Sequence, residues 1–334
     1  MFPFSLRASR ILVGAVLFLL FLVGLLISRS PPHSEPVFLS ETCRFDHGAE
    51  LHAATTRPLI VYAFHDTPDA RGNAAFFVRH GVHPAADFLF IANGDGSYLT
   101  KLLRRHLAAR TPNVALVVRA NECYDLGAYA QVLNADGGAL RKKHDRFVLL
   151  NSSVRGPFIP PLYSTTCWSD AYLGRITDTV KLVGISLNCN SLTSYVYRPH
   201  VQSMLLATDR VGLTLLLDGP GGFAECPNTW RAAVAIELAT ADRIWAAGYD
   251  VDVAMTAFHA KGLYDDLCSC VHDNPLGKGA YFGTTMHPYE TMFAKTKHPA
   301  DLALVEQLTK IHDRLKPVSP AACAAAGRAI SDRT

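Results

Sequence analysis

The sequence predicts an α/β fold in which a mainly parallel β-sheet carries helices on both faces. Short apolar runs of strand length alternate with stretches whose apolar residues recur at helical spacing. This alternation is typical of right-handed βαβ units, in which successive strands lie parallel. The 334 residues are 49% hydrophobic and 18% charged, which excludes a largely disordered chain and a coiled-coil rod.

The elements are predicted to follow one another from residue 57. Apolar, β-rich runs predict strands at 58–64, 87–91, 113–118, 147–150 and 181–186. Amphipathic stretches predict helices at 73–82, 98–109, 124–133 and 230–247. The segment HVQSMLLATD (200–209) is predicted to be a further helix, because its apolar residues suit a packing face.

An unbroken apolar run at 11–27 predicts a membrane span of minimal length. Arg7 and Arg10 precede it, which favours a cytoplasmic N-terminus. We therefore expect a single-pass type II membrane protein whose domain lies in the lumen of the Golgi or another secretory compartment; a cleaved signal peptide is the alternative. The predicted boundaries are a cytoplasmic tail (1–10), a signal anchor (11–28), a stem (29–56), the domain (57–316) and a flexible tail (317–334).

Polar residues follow the first four predicted strands. They are Asp66, the run from Asn93 to Asp95, the run from Asn121 to Asp125, and the run from Asn151 to Ser153. Ligands of parallel α/β sheets bind at the carboxyl ends of the strands. Any one of these loops is explained by turn formation alone, but the four together favour a ligand site.

The charge and the cysteine content limit the classes of binding partner and metal site that the chain is expected to have. The chain has 32 basic and 29 acidic residues, a net charge of +3, and no basic stripe, so we expect no nucleic-acid partner. The eight cysteines are scattered, and their connectivity cannot be derived from the sequence. Cys268, Cys270 and His272 lack the spacing of a zinc finger, which favours disulfides or free thiols.

Several ordered segments resemble one enzyme family. They are NECYDLGAY (121–129), FVLLNSSVRGPF (147–158), VKLVGISLNC (180–189), HVQSMLLATDRVGL (200–213), IELATADRIWAAGYDVDVAM (236–255) and HPYETMFAKTKH (287–298). In this order they resemble glycosyltransferases of the GT-A fold, and more closely the rhamnan-synthesis F-like family and its eukaryotic Golgi-type relatives. The resemblance implies a nucleotide-sugar donor and an acceptor hydroxyl on a glycan or glycoconjugate.

The resemblance also implies which residues bind the donor. The candidates are Asp66, Asn93, Asp95, Asn121, Asp125, Gly127, Asn151, Ser152 and Arg155. Asp125 has an equal alternative as the N-cap of the following helix. Arg155, Lys181 or another cation is expected to neutralise the leaving diphosphate if no metal does so.

The metal position departs from the family pattern. GT-A enzymes usually place Asp-x-Asp after the fourth strand to hold a divalent cation, and here the chain has Asn151, Ser152 and Ser153. Ser153 and His287 are the remaining candidate ligands for Mn²⁺ or Mg²⁺, with a simple loop histidine as the alternative for His287. Metal dependence is therefore expected to be weak or absent.

Catalysis and acceptor binding are assigned by the same resemblance. Glu237, six residues before Arg243 on a predicted helix, corresponds to the general base of inverting GT-A enzymes. Trp168, His200 and Gln202 are the candidate acceptor residues. A catalytically silent relative that binds or scaffolds in glycan synthesis is the alternative, supported by the missing Asp-x-Asp; a hydrolase is disfavoured, since Gly-x-Ser-x-Gly is absent.

Overall fold

The computed structural model describes residues 57–107, 113–163, 165–189, 199–261, 274–297 and 301–323. The predicted tail, anchor and stem at 1–56 lie outside the described residues. Within the described ranges, none of the helices combines the length and the apolar character that a membrane crossing requires.

Strands and helices alternate through the first half of the domain. The strands are β1 (Leu59–His65), β2 (Asp87–Asn93), β3 (Val114–Arg119), β4 (Arg146–Asn151), β5 (Val154–Arg155), β6 (Val180–Gly184), β7 (Leu187–Asn188), β8 (His200–Val201), β9 (Leu205–Asp209), β10 (Asp250–Val253) and β11 (Ala294–Lys295). The helices are α1 (Pro68–His80), α2 (Ser97–His106), α3 (Tyr124–Lys143), α4 (Trp168–Leu173), α5 (Arg210–Leu217), α6 (Trp230–Ala246), α7 (Thr256–Lys261), α8 (Pro288–Thr291) and α9 (Leu302–His312).

The main sheet has the strand order β10-β6-β9-β4-β1-β2-β3. β1 pairs in parallel with β2 and β4, and β2 pairs in parallel with β3. The carboxyl ends of these strands therefore lie along one edge. β9 is antiparallel to both of its neighbours, β4 and β6. The expectation of a mainly parallel sheet is thus confirmed.

Both faces of the sheet are covered. Along β1, Val61 packs into a core with residues of α3, α5 and α6, whereas Tyr62 packs into a second core with residues of α1, α2 and α4. Alternate strand residues point to opposite faces, so a strand covered on both sides is apolar throughout. Burial on both faces thus explains the continuous apolar runs that mark the strands in the sequence.

The predicted helix at 200–209 is wrong. His200 and Val201 form β8, and Leu205–Asp209 forms β9 in the middle of the sheet. Leu205 and Leu206 belong to the two opposite cores. A strand buried on both faces has no alternation of polar and apolar residues, so periodicity does not distinguish it from a buried helix.

The predicted start of the flexible tail, at residue 317, is also wrong. Ser319 and Cys323 are fully buried, and Cys323 forms a disulfide with Cys167 at the start of α4. Residues 317–323 therefore belong to the folded domain, and 324–334 lie outside the described residues. A run of small residues is able to pack as closely as this because alanine and serine need little space.

Candidate functional site at the carboxyl edge of the sheet

A cavity of about 580 Å³ opens at the edge where β1, β2, β3 and β4 end. Its lining residues come from the four strand ends and from two later loops. They are Ala63, His65, Thr67, Ala70, Asn93, Asn121, Glu122, Cys123, Tyr124, Asp125, Asn151, Ser152, Ser153, Asn228 and Lys297. Of the predicted donor residues, the structure thus brings together Asn93, Asn121, Asp125, Asn151 and Ser152. The volume falls in the range of small-molecule sites.

A disulfide shapes one wall of the cavity. Cys123, at the start of α3, is joined to Cys226 in the loop before α6. The bond brings Asn228 to the cavity, where its Oδ1 accepts a hydrogen bond from the backbone N–H of Cys123 at 3.4 Å. Gly127 packs beneath this bond, because a Cβ there would lie 2.4 Å from the Cβ of Cys123. Gly127 is therefore a packing residue, and its assignment to the donor site is corrected.

Asn151 connects the strand-four loop to Asp125. Its Oδ1 accepts hydrogen bonds from the N–H and hydroxyl of Ser153, at 3.0 and 2.6 Å. Its side-chain N–H donates to the Asp125 carboxylate. Burial raises the pKa of Asp125, and the hydrogen bond from Asn151 partly opposes that shift. Asp125 is the second residue of α3 and not its N-cap, which is Cys123.

Glu237 lies near Asp125 without lining the cavity. It is half-buried on α6, and its Oε1 accepts a hydrogen bond from the backbone N–H of Ser203 at 2.7 Å. The nearby Glu237 charge raises the pKa of Asp125, although burial is the larger cause. Arg243 does not join this group, because its guanidinium donates to the carbonyl of Leu215 at 2.7 Å.

Two lysines that the sequence analysis did not select, Lys295 and Lys297, belong to this region. Burial lowers the pKa of Lys295, and the charges of Glu237 and Asp125 oppose that shift. Lys297 is exposed and lines the cavity. The available signal was the pair of lysines in AKTK (294–297), within the segment HPYETMFAKTKH.

Asp66 and Asp95 lie beside the cavity and are engaged with their own neighbours. Asp66 accepts from the Arg71 guanidinium at 2.6 Å, and this hydrogen bond lowers the pKa of Asp66. Asp95 accepts from the backbone N–H of Ser97 at 2.9 Å, at the first turn of α2. Neither residue is part of the cavity lining, whereas their chain neighbours His65 and Asn93 are.

Arg155 is turned away from the cavity, so its assignment to donor binding is corrected. It is 7% exposed and lies between α1 and α9. Its guanidinium donates to Asn73 Oδ1 at 2.9 Å, Glu306 Oε1 at 2.7 Å and Thr309 Oγ1 at 3.1 Å. These bonds hold the helices to β5 and fix the guanidinium outside the cavity lining.

Trp168 belongs to the core and not to an acceptor site. It is fully buried, and its Nε1–H donates to the Gly81 carbonyl at 2.8 Å. His287 is the N-cap of α8, where its Nδ1 accepts from the N–H of Tyr289 at 3.1 Å. It is absent from the cavity lining, so it is corrected from a metal ligand to a capping residue.

The remaining acceptor candidates support the wall near Glu237. His200 and Gln202 are buried, and Gln202 Oε1 accepts a hydrogen bond from the Ser186 hydroxyl at 2.8 Å. Ser203, the next residue, holds Glu237 in place. Among the described residues His200 and Gln202 are therefore near the proposed base, but neither lines the cavity.

The cavity lining fits a divalent cation poorly. Its carboxylates within the described ranges are Asp125 and Glu122, and Glu122 is exposed beside Arg119. Three His, Cys, Asp or Glu ligand atoms meet within 4.8 Å at one place in the described structure, at His83, Cys167 and Cys323. The two cysteines there are joined in a disulfide, which removes them as ligands. Hard cations prefer several carboxylate oxygens, and the described cavity does not converge them.

Comparisons with known proteins find distant structural similarity. No protein-family profile matches the chain, and no curated protein matches it. The chain resembles the mannosyltransferase PcManGT from Pyrobaculum calidifontis, solved with GDP-Man and Mn²⁺, at 13% identity and a TM-score of 0.42; the match covers 64% of this chain and 58% of that one. The chain thus spans little more than half of that enzyme's length.

Other solved structures are still less similar. The galactosyltransferase LgtC, in complex with donor and acceptor sugar analogues, matches at 14% identity and a TM-score of 0.38, over 77% of this chain and 96% of LgtC. A cytidylyltransferase from Leptospira borgpetersenii serovar Hardjo-bovis matches at 11% and 0.34, over 78% and 95%.

Proposed function

We propose that the chain is a membrane-anchored glycosyltransferase that moves a sugar from a nucleotide-sugar donor to a hydroxyl of a glycan or glycoconjugate. The observation that carries this proposal is the cavity at the carboxyl edge of a mainly parallel sheet, lined by polar side chains from four successive strand ends. Such an edge is where α/β sheets bind nucleotides. The sequence segments that resemble GT-A enzymes, in the same order along the chain, support sugar transfer as the reaction.

The proposed reaction is inverting, with Glu237 as the general base. A sugar hydroxyl needs a positioned base to take its proton as it attacks the anomeric carbon. The hydrogen bond from Ser203 fixes one oxygen of Glu237. The other oxygen has no hydrogen-bond partner among the described residues and is the proposed proton acceptor. The buried residues 200–202 beside it form the proposed wall of the acceptor site.

The proposed location is the lumen of the Golgi or another secretory compartment. The apolar run at 11–27 supports an anchor, and the disulfides support an oxidising compartment. A C-terminal tag on the full chain in sealed microsomes should resist protease until detergent is added. Digestion of the tag in intact microsomes would place the domain on the cytoplasmic side.

A panel of nucleotide sugars tests the activity. The purified full-length chain in detergent is expected to hydrolyse one donor slowly and to release its nucleoside diphosphate faster when a suitable acceptor is present. Each donor is measured in EDTA and in Mn²⁺. Binding of a nucleoside diphosphate without any turnover would instead favour the silent, scaffolding relative, which the small number of carboxylates in the cavity also supports.

A further inference from the structure

We infer that Lys297 binds the diphosphate of the donor, and that donor binding needs no divalent cation. The inference rests on the proposed function and names the group that would take the place of the metal. A nucleoside diphosphate carries at least two negative charges, which the site must neutralise to bind it and to release it as a leaving group.

The oxygens of the strand-four loop are already used within the protein. Asn151 Oδ1 accepts from both the N–H and the hydroxyl of Ser153. The carbonyl oxygen of Ser152 accepts from Asn73, and that of Ser153 accepts from Thr296. A cation at this loop would compete with these bonds for the oxygens and would gain only neutral ligands from the loop.

Lys297 is the one lysine or arginine among the described residues that line the cavity. The nearby arginines are engaged elsewhere: Arg71 with Asp66, and Arg119 with Asn93 at 2.5 Å and with Gln131. Within the described ranges, the Lys297 ammonium has no hydrogen-bond or ion-pair partner. Its three donors are therefore free to bind phosphate oxygens.

The backbone holds Lys297 against the loop that lacks carboxylates. β11 pairs antiparallel with β5, with Lys295 opposite Val154. The next residue, Thr296, donates its N–H to the Ser153 carbonyl at 3.0 Å. Thr296 is itself fixed by Asn73, whose side-chain N–H donates to its hydroxyl at 2.7 Å. Lys297 thus begins from a fixed point beside Ser153, in the loop that lacks carboxylates.

Lys295 explains why Lys297 is not neutralised by the acids of the site. Lys295 lies two residues before Lys297 and is less exposed. There it interacts with the charges of Asp125 and Glu237. Lys295 offsets these carboxylates, and Lys297 remains available to the donor.

Titration calorimetry of the full-length chain tests the inference with UDP and GDP as probes. The wild-type chain should bind one of them in EDTA, with an affinity that Mn²⁺ changes less than threefold. K297M should weaken that binding roughly tenfold to a hundredfold, the usual effect of losing a charged hydrogen bond. K297R should retain most of the affinity. K297M should weaken the binding of the nucleoside monophosphate less than that of the diphosphate.

The matched control is K278M, which removes an exposed lysine that pairs with Asp301 at 3.7 Å and does not line the cavity. It should bind as the wild type does. Binding that disappears in EDTA, or that K297M leaves unchanged, would overturn the inference and leave the proposed function intact. A wild-type chain that binds no nucleoside diphosphate would overturn both.

Discussion

The carboxylate of Asp125 accepts a hydrogen bond from the side-chain amide of Asn151, which joins the start of α3 to the end of β4 inside the cavity. An amide at position 151 donates to its acidic neighbour, whereas an ionised carboxylate there would repel it. A neutral amide at position 151 therefore suits a cavity in which no cation offsets a second carboxylate.

Asn151→Asp tests this relationship. In EDTA at pH 7.5, two carboxylates at hydrogen-bond distance repel, so the melting temperature should fall by about 4–10 °C. Mn²⁺ should restore much of that loss, because two adjacent carboxylates bind a hard cation. The wild-type chain should show no such response in thermal melts.

Asn228→Asp is the control for Asn151→Asp. It adds a charge to the same cavity and keeps the oxygen that accepts from Cys123. Its melting temperature should respond to Mn²⁺ much less. Equal stabilisation of both variants by Mn²⁺ would show general charge screening and contradict the paired-carboxylate account.

The two described disulfides are expected to differ in function. Cys123–Cys226 borders the cavity, and Cys167–Cys323 ties residue 323 to α4. Replacing either pair with alanines should lower the stability by several kcal/mol, since each closes a long loop. Only the C123A/C226A pair should also weaken nucleoside diphosphate binding, because it releases Asn228 from the wall. Calorimetry on both variants, at a temperature where both are folded, separates the two effects; equal binding losses would contradict the assignment.

The sheet was largely predictable from sequence, and the site was predictable only in part. Strands β1 to β4 are apolar runs with polar ends, and local pattern suffices to find them. Lys297 reaches the cavity through the pairing of β11 with β5, which are distant in sequence. Trp168 and Arg155 were misassigned for a related reason. Their chemistry suits a sugar or a phosphate, but contacts with Gly81 and Glu306 bury or engage them. Such long-range contacts leave no local signal.

His83 makes the domain sensitive to acid. It is 2% exposed, its Nδ1 has no partner, and burial lowers its pKa to about 3. In the unfolded chain a histidine takes up its proton near pH 6.5, whereas folded His83 stays neutral. Its contribution to stability is therefore complete above pH 6.5 and is lost as the pH falls toward 3, by at most about 1.4 kcal/mol per pH unit.

Denaturant unfolding at pH 7.5, 5.5 and 4.5 measures this effect. The free energy of unfolding should fall with pH in the wild type and more gently in His83→Gln. His312, whose pKa burial lowers to about 4, titrates in the same window, so the comparison of the two slopes isolates His83. Parallel slopes in the two proteins would show that His83 is not the acid-sensitive group.

Glu237→Gln tests the proposed base. The amide keeps the oxygen that accepts from Ser203, so the local structure should persist, but it is unable to take a proton from the acceptor. Turnover should fall by roughly 10²–10⁴-fold, with donor affinity nearly unchanged because Glu237 does not line the cavity. Asp242→Asn, on the same helix but roughly 140° around it, is the control and should change little. Asp125→Asn distinguishes the role of Asp125 from that of Glu237, since it should mainly weaken donor binding. Near-normal turnover in Glu237→Gln, together with a large loss of turnover in Asp125→Asn, would move the base from α6 to the start of α3.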